Sequence, residues 1–152
     1  MNRQVEVPDM ENLRKVGILW QPEQEKAFHY LHDQFIHSGV IFRNLCICPE
    51  GSFLSSGASV ISPKDFNWLG LPKSGIAEDF IQMEFDLLFN IAQEKTLALD
   101  SLTALSHARF KIGGSPYDRN YFDLTIKISE EQEALYLAEQ QIFYLRQLNK
   151  KA

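Results

Sequence analysis

Apolar positions recur along this chain at two periods, and the changes between them separate strands from helices. Residues 85–91 (FDLLFNI) form a near-continuous apolar run interrupted by Asp86 and Asn90. A strand covered by helices on both faces has this look, because neither face meets water. From Leu97 to about His107 the pattern turns helical, with Leu97, Leu99, Leu102 and Leu105 recurring among small Ala98 and Ala104. That broad stripe suits a helix lying on a sheet. Residues 109–112 extend again, and Gly113-Gly114 is expected to stop them. Strand, helix and strand in about 30 residues make a βαβ unit, which requires a parallel sheet.

The other segments fall around that unit. Residues 14–20 (RKVGILW) read as a short strand. Pro22 then suits the first turn of a helix running to about His37, with Gln24, Ala27, Phe28, Leu31 and Phe35 buried and Gly39 as its stop. Residues 40–48 form a second strand. Residues 51–75 are the least regular part, with a short extended piece at 58–61 and a loop, DFNWLGLPKSG, whose large apolar residues should pin it to the core. Residues 76–84 suit a short helix. Residues 121–128 (YFDLTIKI) alternate cleanly and are placed at a sheet edge. The short gap from Gly113 leaves a hairpin open, so this strand is allowed to run antiparallel. Ser129 and Gln132 form a capping-box pattern before a helix ending near Asn149, with Leu135, Ala138, Ile142, Leu145 and Leu148 on its apolar side.

The predicted architecture is α/β: a single three-layer Rossmann-like domain over residues 13–152, behind a flexible polar arm at 1–12. Its sheet is mainly parallel, with about five strands. A length of 152 residues with 45% hydrophobic content suits one core. The formal net charge of −5 argues against nucleic acid, which wants clustered Lys and Arg. No apolar run approaches the roughly 20 residues that span a bilayer. The start lacks the apolar core of a signal peptide, so the expected compartment is the cytoplasm.

Candidate chemistry is sparse. Cys46 and Cys48 share one strand face and read as buried thiols, since no second Cys pair completes a zinc site. His29, Asp33 and His37 are spaced four apart on one helix, with His32 between, but opposite the buried stripe, so a solvated face is expected there. His107 lies near a helix end with no nucleophile motif beside it. The first strand leads into WQPEQE, without the glycines of a phosphate cradle. No metal, cofactor or catalytic residue is therefore assigned. Ligands of open α/β sheets bind beyond the carboxyl ends of the strands. Gln21, Glu50, Gln93, Glu94, Lys95 and Gly113 are the candidates to line such a crevice.

Two resemblances add to this. KVGIL, FNWLGLPK, FDLLFNIA, ALSHARFKIG and YFDLTIKI, in that order, resemble a family of small bacterial proteins with an assigned domain and no assigned function. That family's pattern is similar to NWFGKP, FDLLIDLS, AKFRVG and YDLMI. The resemblance implies a single domain and makes Asn67, Trp68, Gly70 and Lys73 of interest. Locally, FDLLFNIA with ALSHARFKIG also resembles the N-terminal domain of heptosyltransferase-type glycosyltransferases, with Asn90 where that family carries an aspartate. This second resemblance implies a degenerate transferase half needing a second chain.

The leading expectation is a non-catalytic cytoplasmic accessory or protein-interaction module. Its contact residues would be Phe66, Asn67, Trp68, Lys73 and Leu71, with Trp68 read first as a structural plug. A homodimer through the last helix or the edge strand accompanies it. The competing expectation is a small-molecule site, for a nucleotide or sugar, in the crevice.

Overall fold

The computed structural model describes residues 4–36, 38–48, 60–73, 75–94, 96–115, 121–129 and 131–150. In chain order the elements are β1 (Lys15–Trp20), α1 (Glu25–Phe35), β2 (Ile41–Ile47), β3 (Val60–Ile61), α2 (Gly75–Gln82), β4 (Leu87–Asn90), α3 (Leu97–Leu105), β5 (Lys111–Ser115), β6 (Leu124–Lys127) and α4 (Ala134–Lys150). Among the described residues the sheet has six strands in the order β3-β2-β1-β4-β5-β6. Each neighbouring pair is parallel. This is the strand order of the Rossmann fold, and the direction of winding reverses between β1 and β4.

The apolar run at 85–91 supplies β4, at the middle of the sheet. Its residues alternate between two cores, as a period of two dictates. Leu87 and Phe89 join Val16, Ile18 and Trp20 of β1 under α1 and α4. Leu88 joins Leu19, Leu45 and Ile47 under α2 and α3. Among the described residues, two helices on each face make the three layers.

The mainly parallel sheet is as expected, and its strand count and the direction of its edge strand are now settled. The sheet gains a strand because the short piece at 58–61 pairs in its described part, Val60–Ile61, with Cys46 and Ile47. More tellingly, β6 runs parallel to β5, not antiparallel. Gly113-Gly114 does not stop β5; both glycines lie inside it. A Cβ on Gly113 would stand 2.2 Å from the Phe122 ring, and one on Gly114 would stand 2.3 Å from Leu137 of α4. The glycines are thus sites of close approach rather than a turn. Phe122 crosses back over the strand, and Asp123 then grips Lys111: the Asp123 N–H donates to the Lys111 carbonyl and the Lys111 N–H donates to the Asp123 carboxylate, both at 2.8 Å. The chain is thereby returned to the start of β5 before β6 begins.

Helix boundaries shift for local reasons. A 3-10 turn at Pro22–Gln24 precedes α1, and α1 ends at Phe35 ahead of Gly39, whose φ of +73° reverses the chain. The Ser129 N–H donates to the Gln132 side chain at 2.9 Å, but this turn stands before α4 rather than within it. The buried stripe of α4 is Ala134, Leu137, Ala138, Gln141, Ile142 and Leu145, while Leu135 and Leu148 are half-buried. At the other end of the chain, the Met10 N–H donates to Asn149 Oδ1 at 2.7 Å and Asn149 Nδ2 donates to the Pro8 carbonyl at 2.8 Å. The Glu6 N–H donates to the Arg109 carbonyl.

Candidate functional site

The reversal between β1 and β4 makes a crevice at their carboxyl ends, and the side chains there are carboxamides. Gln21 follows the last residue of β1. Its Nε2 donates to the Glu94 carbonyl at 3.0 Å, and the Glu94 N–H donates to its Oε1 at 3.2 Å. One amide group thus spans the mouth between the strands. The Gln21 N–H also donates to Gln24 Oε1 at 2.7 Å, and the Gln24 N–H returns a bond to the Gln21 carbonyl. This capping box satisfies donors at the helix start that a phosphate would use. Pro22 offers no N–H, and Glu23 and Glu25 add negative charge beside it. The usual phosphate position of a dinucleotide fold is therefore closed here.

On β4 the terminal residue is Asn90. Its Nδ2 donates to Thr103 Oγ1 of α3 at 3.1 Å, and its Oδ1 accepts from the Ala92 N–H at 3.0 Å. Its backbone carbonyl accepts from Gln141 Nε2 of α4 at 3.2 Å. Gln141 is fully buried, and among the described residues its Oε1 has no hydrogen-bond partner. The exposed Gln93 donates to the Gln132 carbonyl, tying the β4–α3 turn to the approach of α4.

Of the crevice candidates, Gln21, Gln93 and Glu94 thus meet around one turn. Glu50 and Lys95 lie outside the described residues. Gly113 is within β5, under Phe122. Sequence reasoning missed Asn90 and Gln141. The available signals were an amide ending the apolar run at 85–90 and a polar residue inside the 137-138-141-142-145 stripe.

A second feature stands on the α3 side. In the loop at 66–73, Phe66 is buried and is the plug; it is not an exposed contact residue. Trp68 is 86% exposed, so the plug expected there is overturned. The loop closes on itself: Asn67 Oδ1 accepts from the Leu69 and Leu71 N–H groups at 2.9 and 3.0 Å, and Lys73 N–H donates to the Asp65 carbonyl. Gly70 takes a φ of +81°, and a Cβ there would stand 2.6 Å from Ser101 and 2.8 Å from Leu97. Only glycine lets the loop seat against the start of α3. Leu69, Leu71 and Leu97 are also exposed beside it.

The remaining candidates stay apart. His29 contacts Glu25 at 3.5 Å and His32 contacts Asp33 at 3.7 Å, while His37 lies outside the described residues. His107 is half-buried, with its N–H on the Ile81 carbonyl. Cys46 and Cys48 are buried thiols with sulfurs 3.6 Å apart. At the opposite end of the strands, a cavity of about 350 Å³ is lined by both signs of charge, including Arg14, Asp86 and Arg109. Asp86 there accepts the Arg14 and Lys15 N–H groups.

The molecule is a three-layer α/β domain of Rossmann topology whose switch point is closed by its own carboxamides rather than by a glycine-rich phosphate loop. No helix among the described residues is long and apolar enough to cross a membrane. The chain belongs to DUF6913, a family of unknown function whose model matches residues 1–148. No curated protein and no solved structure matches it, so the local likeness to glycosyltransferases has no support.

Proposed function

We propose that this domain is a protein-docking module whose contact surface is the 66–73 loop with the adjoining Leu97. The observation that carries this is Trp68, 86% exposed on a loop whose backbone is already fixed by Asn67, Gly70 and the contact with α3. A large aromatic already in water on a hydrogen-bonded loop brings contact area to an interface, and the backbone that carries it is already ordered. The partner is a protein offering an apolar pocket for the indole, with an acceptor for its N–H. The reading assigns no catalytic residue. The cytoplasm of a bacterial cell is the compartment it takes, in line with two thiols in contact within the core.

The test places a photo-crosslinking residue at Leu71 of the full chain in cells and repeats the capture with Trp68→Ala. One partner captured in stoichiometric amount, and lost at least tenfold in the variant, supports docking. A captured set unchanged by Trp68→Ala overturns it. Trp68→Ala should leave the melting temperature within a degree or two, as an exposed side chain contributes little to the fold.

Self-association is the second reading, favoured by exposed Tyr136, Phe143 and Tyr144 on the outer face of α4. It requires a concentration-dependent dimer in equilibrium sedimentation that Phe143→Glu dissolves.

A further inference from the structure

We propose that Gln21 is the reading residue of a small-molecule site at the β1–β4 switch point, and that its ligand presents the hydrogen-bonding edge of a nucleobase. This goes beyond the docking surface and is independent of it. The carboxamide of Gln21 already makes a two-point contact, donating to the carbonyl and accepting from the N–H of a single residue, Glu94. A backbone N–H beside a carbonyl imitates an uncharged heterocycle edge, where one donor and one acceptor lie next to each other. Side-chain amides read such edges by the same paired geometry. On this reading the chain supplies its own stand-in for the ligand, and Glu94, which provides it, is exposed.

A separate observation points to the same place. Leu19 pairs with Asn90 across the two strands, so Gln21 and the Asn90 carbonyl stand at one mouth. Gln141 is anchored to that carbonyl, and its Oε1 is buried and unmatched among the described residues. A buried, unmatched acceptor is uncommon in a folded chain, and under the proposal a ring N–H or exocyclic amine of the ligand supplies its donor once the Glu94 turn is displaced. The electrostatics narrow the class further. Gln21, Gln24, Asn90 and Gln141 carry no charge, and Glu23 and Glu25 flank the helix start where a phosphate would rest. The ligand is thus a base or nucleoside, recognised by its edge rather than by a phosphate.

The test titrates the ¹⁵N-labelled full chain with adenosine, guanosine, cytidine and uridine, and separately with ribose and inorganic phosphate. A nucleoside should shift the Glu94 amide resonance and saturate, while ribose and phosphate leave it unmoved. Gln21→Ala should weaken binding at least tenfold. Gln21→Glu, which keeps the acceptor and loses the donor, should do the same while keeping the chain folded through the Glu94 N–H. Gln141→Met should weaken binding several-fold. No saturable shift with any nucleoside overturns the proposal. So does equal binding of ribose or phosphate, or unchanged affinity in the folded Gln21→Glu variant.

Discussion

Cys46 shows how far one residue's surroundings can be read physically. Burial pushes its thiol well above the ordinary value of 9.0, and the Cys48 thiol beside it and the carboxylates of Glu23 and Glu25 push the same way. A group whose folded value is raised contributes stability that is complete below its unfolded value. That contribution fades as pH rises toward the folded value, because the unfolded chain gives up the proton first. Stability should therefore decline above about pH 9, and Cys46→Ala should flatten the decline by up to the linkage of a single proton. Urea unfolding of both forms between pH 8 and 10.5 reads the difference; parallel slopes would contradict it. Burial of both thiols on one face was legible from their spacing on a strand. Trp68 was not legible in the same way. A loop Trp ordinarily serves as an anchor, and nothing in FNWLG says that Phe66 takes that place and leaves the indole in water.

At the scale of elements, the return from β5 to β6 departs most from what patterning suggests. Parallel neighbours usually need a helical crossover. Just before β6, the Phe122 ring lies over Gly113 and Asp123 pairs with Lys111, so the described part of the return is anchored at the start of β5. Glycines inside a strand mark either a break or a close approach, and the letters alone do not distinguish them. Gly113→Ala and Gly114→Ala should each destabilise the fold by about 1–3 kcal/mol through overpacking. Gly113→Ala should cost more, because an aromatic ring yields less than the Leu137 side chain above Gly114. Combining Gly113→Ala with Phe122→Ala should recover part of the loss, since residues in contact are not additive. Guanidinium unfolding of the four chains checks this, and strict additivity would count against the packing described.

Over the whole molecule, the parallel α/β class, the central place of β4 and the edge place of β6 followed from apolar patterning. Strand order did not, because each parallel pairing joins segments far apart in sequence and nothing local encodes which neighbour is chosen. The crevice was legible only as a rule about strand ends. That Gln21 would reach Glu94, and that Gln141 would reach Asn90, depends on the side-by-side pairing of β1 with β4 and on where α4 crosses.

The Asn149 side chain bonds both the Met10 N–H and the Pro8 carbonyl, which ties the segment at 8–10 to the last turn of α4. A circular permutant with the old ends fused by a short glycine-serine bridge, and new ends opened between exposed Ser38 and Gly39, should fold to the same six-stranded sheet. Its circular dichroism should match that of the parent, with melting lowered by only a few degrees; an unfolded permutant would mean that α1 and β2 must be covalently continuous.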